Sequence, residues 1–218
     1  MWNEALLMRP ASVADSHPGV STILQARFDN EYFSKILLAP FLFHATIDQL
    51  QRGAIFMKIS QLLKEKQLTL SFEVFPPKTS EKFEATAANA RKIAALHPDF
   101  MSVTYGAGGG TGLFTAEIAS EIQEGFGVPT LAHLTCVSST REHVSKMLSL
   151  YKEKNIENIL ALRGDLPQDG LRSADYRYAV QLIQDIKERE KDFFCLGGAC
   201  YPEGHVECAH REEDLQHL

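Results

Sequence analysis

The sequence lacks any uninterrupted apolar run of about 18 residues, the length a membrane-crossing helix needs. Its longest early apolar stretch, Ile36 to Phe43, is broken by Pro40. No membrane partner is therefore expected. It also lacks a basic excess: 22 Lys and Arg stand against 28 Asp and Glu, for a net charge of -6. Nucleic-acid binders usually carry a basic face, so no nucleic-acid partner is expected either. A few local cations can still hold a small anionic ligand. Cysteine is scarce. Cys136, Cys195, Cys200 and Cys208 do not make the disulfide framework of a small secreted domain. The opening Met1-Trp2-Asn3-Glu4 has no positive segment leading into an apolar one, so a secretory leader is not expected and a cytoplasmic protein is.

What is present suits an ordinary folded domain. The 218 residues are 44% hydrophobic and 23% charged, enough for one real core. Residues 1–56 hold one amphipathic segment, roughly Asp48 to Phe56, and otherwise no sustained strand or helix period. They read as an unassigned N-terminal extension. Met57 reads as the natural start, because Lys58-Ile59-Ser60-Gln61-Leu62-Leu63 opens a short helix, and residues 57–218 read as one domain.

From about Leu68 a repeat sets in. Apolar runs at Leu68 to Phe75, Phe100 to Tyr105, Thr130 to Cys136, Asn158 to Leu162 and Phe194 to Tyr201 predict strands. Between them, helices are predicted at Ser80 to Leu96, Thr115 to Phe126, Thr140 to Lys154 and Ala174 to Lys187. Thr79 or Ser80 can cap the first, whose apolar stripe is Phe83, Ala87, Ala90 and Ala94. Pro98 stops it, and Gly125 and Gly127 close the second. The strands are continuously apolar, as in a parallel sheet covered by helices. Strand–helix repeats of this length fit a doubly wound sheet or a (β/α)8 barrel. Both folds gather their chemistry at the C-terminal strand ends.

All five predicted strands end in polar groups. The first offers Glu73 before Phe75-Pro76-Pro77, and the second ends in Thr104-Tyr105-Gly106-Ala107. The third carries His133 and Thr135, the fourth ends in Arg163-Gly164-Asp165, and the fifth in Tyr201-Pro202-Glu203-Gly204-His205. Random placement scatters such groups, so a shared site is expected there. Each group also has a plainer reading. Glu73 lies in an apolar strand. A buried, unpaired carboxyl has a raised pKa, which suits a general acid, but a structural ion pair accounts for it as well. His133, alone in an apolar strand, fits a satisfied core residue. The glycine run from Gly106 to Gly112 follows a strand, yet its dinucleotide frame ends in Thr111 where Gly or Ala is required. A loop over a ligand or a tight turn fits better. Arg163-Gly164-Asp165 can be a surface turn or a place where backbone meets a flat ligand between opposite charges. Cys195, Cys200, His205, Cys208 and His210 match no standard metal-ligand spacing, so no metal is expected.

Taken together, Ser71-Phe72-Glu73-Val74-Phe75-Pro76-Pro77-Lys78, Ser102-Val103-Thr104-Tyr105-Gly106-Ala107, His133-Leu134-Thr135-Cys136, Leu162-Arg163-Gly164-Asp165-Leu166-Pro167, Tyr178-Ala179 and Tyr201-Pro202-Glu203-Gly204-His205 resemble the methylenetetrahydrofolate reductase family over about Leu68 to Leu218. The resemblance implies a (β/α)8 barrel of TIM type, with about the first five βα units present in this chain. It implies FAD at the C-terminal strand ends. It also implies ping-pong reduction of 5,10-methylenetetrahydrofolate to 5-methyltetrahydrofolate, with NADH or NADPH as reductant and a homo-oligomer when full length. Glu73 matches the family's general acid, which opens the folate's five-membered ring to an iminium. Asp165 matches the carboxylate beside the flavin's pyrimidine edge, and Thr104 a position near nicotinamide and flavin. Tyr105, Ala107, His133, Arg163, Gly164, Tyr178, Ala179, Tyr201 and His205 match flavin contacts, as do Cys208, Asp214 and His217. His217 stands where some members have Asn.

The family's remaining barrel strands and its folate-stacking groups have no counterpart here. This polypeptide alone is therefore expected to bind FAD poorly, to show little reductase activity and to aggregate through exposed sheet edges. Two other readings remain open at this stage. One is a non-catalytic binding or scaffold module derived from a half-barrel. The other is a different barrel enzyme with a Glu acid and a phosphate ligand.

Overall fold

The computed structural model describes the backbone of residues 22–27, residues 57–106, 111–166 and 172–201, and Cys208, His210, Glu212 and Glu213. Six parallel strands form one sheet: β1 (Thr22–Arg27), β2 (Leu68–Val74), β3 (Phe100–Val103), β4 (Thr130–Thr135), β5 (Asn158–Leu162) and β6 (Cys195–Gly198). Their spatial order is their sequence order. A doubly wound sheet reverses its order partway. An unreversed run is the wall of a (β/α)8 barrel, so the topology decides between the two folds the sequence left open.

Four helices alternate with the strands: α2 (Phe83–Ala94), α3 (Gly112–Phe126), α4 (Arg141–Glu153) and α5 (Ala179–Glu190). Side chains alternate between the faces of a strand. One face supplies Met101, Val103, Ala132, Leu134, Ile159 and Ala161, each 0% exposed and part of the main core with Ile118, Ile122, Leu148 and Ile186. Ala87, Ala90 and Ala94 are buried as the predicted stripe of α2 requires. Gly127 ends α3 with φ +65, and its N–H donates to the Gln123 carbonyl, a left-handed cap that glycine adopts without strain.

The opposite face is covered at its N-terminal end by a short helix, α1 (Ile59–Glu65). Ile59 and Leu62 pack there with Phe100 and are joined by Leu131. Asn158 fixes this plug. Its side-chain oxygen accepts from the Ile59 N–H at 2.8 Å, and its amide nitrogen donates to the Thr130 carbonyl at 3.3 Å. The C-terminal half of the same face carries Glu73, Ser102 and His133, with Leu160 of β5 beside His133.

Several sequence expectations need correction. The strand at Thr22–Arg27 lies in the segment read as an unassigned extension without a sustained period, and it pairs in parallel with Leu68 to Glu73 of β2. Thr22-Ile23-Leu24-Gln25-Ala26-Arg27 is neither continuously apolar nor cleanly alternating, and the edge of β2 supplies its partners. Neither Thr79 nor Ser80 caps α2: residues Ser80–Lys82 form a 3-10 turn, and no side chain caps either segment. Helix α5 starts five residues after the predicted Ala174. Tyr176 is 1% exposed and hydrogen-bonded to Asp185, which holds the preceding chain in a non-helical connection. The predicted segment Asp48 to Phe56 lies outside the described residues. Among the described residues no helix is long and apolar enough to cross a membrane.

The buried Asn158 bridge gives a direct test. Asn158→Ala removes the acceptor for a buried N–H and is expected to lower the unfolding free energy by about 2 kcal/mol. Urea denaturation followed by circular dichroism measures it. An unchanged midpoint would show that the bridge does not hold the plug.

Candidate functional site

The polar face is built by strand register. Glu73 pairs with Ser102, and Ser102 with Leu131, so the three lie side by side on one face. His133 stands two residues beyond Leu131 on that same face. The Ser102 hydroxyl donates to Oε2 of Glu73 at 3.1 Å. Nε2 of His133 lies 3.7 Å from the same oxygen, with side-chain exposures of 8% for His133 and 15% for Glu73. That distance is too long for a hydrogen bond. Burial pushes the His133 pKa down to about 4, so the ring is neutral at physiological pH. The contact is therefore a neutral ring against a carboxyl group, not an ion pair. Nε2 of His133 is buried with no hydrogen-bond partner among the described residues. The strand beneath is held by Tyr151 of α4, whose hydroxyl donates to the His133 carbonyl at 3.0 Å.

The next strand end approaches through its backbone. The Arg163 carbonyl accepts from the Val137 N–H at 2.8 Å and from the Cys136 N–H at 3.2 Å. Gly164 follows with φ +79, and a Cβ there would come within 2.7 Å of the Thr135 Cβ. Glycine is required on both counts. Arg163 and Asp165 flank it, both partly exposed. Thr104, also partly exposed, follows β3, and its carbonyl accepts from the Thr115 hydroxyl at 2.9 Å.

Other expected positions fall elsewhere. Tyr105 is 7% exposed within the helix-side core, and its hydroxyl lies 2.8 Å from Nε2 of His143. Burial pushes its pKa up to about 12. Its side chain is committed to the helical layer, so only its backbone can face a ligand on the Glu73 face. Tyr178 and Ala179 begin α5, where the Gln181 side chain accepts from the Tyr178 N–H at 3.0 Å. Tyr201 is 37% exposed beyond β6. The Cys208 thiol donates to the His210 carbonyl at 3.2 Å. Ala107, His205, Asp214 and His217 lie outside the described residues.

Sequence reasoning did not assign Ser102 a role. Its signal was parity: counted by register, it stands next to Glu73 on the polar face. The Asp185 cluster was also missed, because only the tertiary structure brings its members together.

The sequence pattern described as methylenetetrahydrofolate reductase matches residues 58–218. The 5,10-methylenetetrahydrofolate reductase of Pectobacterium carotovorum is 37% identical over 176 residues, covering 81% of this chain and 56% of that protein. A probable methylenetetrahydrofolate reductase (NADH) of Oryza sativa is 35% identical over 163 residues, 73% of this chain and 27% of its own length. Methylenetetrahydrofolate reductase 1 of Schizosaccharomyces pombe is 38% identical over 171 residues, 74% of this chain and 28% of its own. This chain thus spans about half the length of the bacterial relatives it matches and about a quarter of the plant and yeast ones. The parallel wall in sequence order, the polar strand ends and this match over most of the chain agree: the chain belongs to the methylenetetrahydrofolate reductase family.

Proposed function

We propose that the chain forms the general-acid side of a flavin-dependent reductase acting on 5,10-methylenetetrahydrofolate. The observation that carries this reading is the shared face of Glu73, Ser102 and His133 at the C-terminal strand ends. Ser102 orients the Glu73 carboxyl, and the partly buried setting keeps it from bulk water, so it can hold a proton for a substrate nitrogen. The cytoplasmic location and a homo-oligomeric state of the full-length protein belong to the same proposal.

The residues present fit FAD. Nε2 of His133, buried and without a hydrogen-bond partner among the described residues, offers a polar contact to a ligand edge, and the Gly164 turn, packed on Thr135 at φ +79, fixes the backbone between Arg163 and Asp165. Arg163, Gly164, Asp165, Thr104 and the backbone of Tyr105 would line it, with Tyr178, Ala179 and Tyr201 further along the strand ends. When bound, FAD supplies hydride transfer from a nicotinamide to the folate. With FAD bound, Asp165 would supply a negative charge beside it and Arg163 a positive one. The names of the rice and Arabidopsis thaliana relatives specify NADH, which favours NADH as reductant here.

Two measurements test the assignment. In a chain completed with the C-terminal remainder of the Pectobacterium carotovorum relative, Glu73→Gln is expected to retain FAD and NADH oxidation. It should slow folate reduction by on the order of a thousandfold. Normal folate turnover in that variant would remove Glu73 from the acid's role. Gly164→Ala forces a Cβ into Thr135 at a positive φ. It is expected to cost about 2 kcal/mol of stability and to weaken FAD binding in fluorescence titration. Wild-type affinity and melting temperature would exclude a close backbone approach at Gly164.

A further inference from the structure

The connection from β5 to α5 carries Arg163, Gly164 and Asp165 at its start and Tyr178 at its end. Its start and Ser173, further along it, are both tied to one residue, Val137, just beyond β4. The Val137 N–H donates to the Arg163 carbonyl at 2.8 Å, and the Val137 carbonyl accepts from the Ser173 N–H at 2.7 Å. A buried carboxylate on α5 then secures the far end. Asp185, 4% exposed, accepts from the Tyr176 hydroxyl at 2.5 Å, from Nη1 of Arg141 at 2.7 Å and from Nε of Arg189 at 2.9 Å. Arg141 opens α4, the helix that follows the His133 strand. Its guanidinium lies 5.4 Å from the centre of the Tyr176 ring. Its backbone N–H donates to Asp175 at 2.9 Å.

The charges around this node are one carboxylate from α5, one guanidinium from α4, one from α5 itself and Asp175 from the connection. Burial pushes the Asp185 carboxyl up, but hydrogen bonds from Tyr176 and Arg189 and the two guanidinium charges outweigh it and hold it below the usual value. A buried charge satisfied on both oxygens is rigid, because any displacement strands a desolvated group. The node therefore couples two adjacent βα units, the one bearing His133 and the one bearing Arg163 to Asp165.

We propose that Asp185 is a positioning residue for the site: through Tyr176 and Arg141 it fixes residues 172–178 against the β4–α4 corner, whose Val137 also holds the Arg163 carbonyl, and so sets where Arg163, Gly164 and Asp165 stand relative to His133. The proposal rests on the reading that these strand ends bind the flavin. It acts at a distance from any ligand, and it predicts a local rather than a global effect of substitution.

Hydrogen exchange by mass spectrometry on the whole chain tests it, with Asp185→Ala, the milder Asp185→Asn, and Tyr176→Phe. Peptides spanning Arg172 to Tyr178 and Val137 to Arg141 are expected to exchange about tenfold faster in Asp185→Ala, with β3 and β4 unchanged. Asp185→Asn and Tyr176→Phe should fall between that variant and the parent. FAD titration by fluorescence should weaken in the same order. Uniform acceleration through β3 and β4, or no change at Arg172 to Tyr178 in any variant, would overturn the proposal. The FAD titrations use the chain joined to the C-terminal remainder of the Pectobacterium carotovorum relative; if that joined parent binds no FAD, the flavin reading fails, and the exchange pattern still decides the positioning role.

Discussion

Everything in this structure depends on alternation of side chains along parallel strands held in sequence order. Alternation gives each strand one face for the helices and one for the inside of the wall. The helix side is filled by residues such as Met101, Val103, Leu134 and Ile159, and burying them drives the fold. The inner side is divided along its length. Its N-terminal half is closed by α1 over Phe100 and Leu131. Its C-terminal half holds Glu73, Ser102 and His133. A shift of one residue in the register of β3 would carry Ser102 from the Glu73 face to the helix face. The site and the core are consequences of the same register.

Burial then sets the chemistry. His133 is enclosed enough that its imidazole stays neutral far below its ordinary pKa. The neutral ring and the Ser102 hydroxyl meet the same oxygen of the Glu73 carboxyl. The opposite solution appears at Asp185. There burial is offset by two guanidinium groups and a phenol, and the carboxylate remains charged. Asp185 is buried among cations, whereas Glu73 is partly buried beside a neutral imidazole and a hydroxyl; the proton-holding role proposed for Glu73 rests on that setting.

Much of this was legible in the sequence. The five apolar runs and their polar C-terminal ends are local features, and the structure places a strand at each, unchanged for β5 and shortened by one to four residues for the others. The alanine stripe of α2 and the Gly127 cap were readable for the same reason. What was not readable depends on contacts far apart in the chain. The seat of α1 relies on Asn158, a residue 99 positions from Ile59. The late start of α5 relies on Tyr176 reaching Asp185. β1 relies on the open edge of β2. Tyr105 looked like a site residue because it follows a strand end, but parity turns its ring toward His143.

An enclosed strand-end face holds His133 neutral beside Glu73, and a pH titration of the His133 imidazole by nitrogen-15 NMR checks this. The ring is expected to be neutral at pH 6 and to gain its proton only near pH 4. A midpoint near the ordinary histidine value of about 6.5 would contradict it, because the face would then be open to water or the ring ion-paired with Glu73.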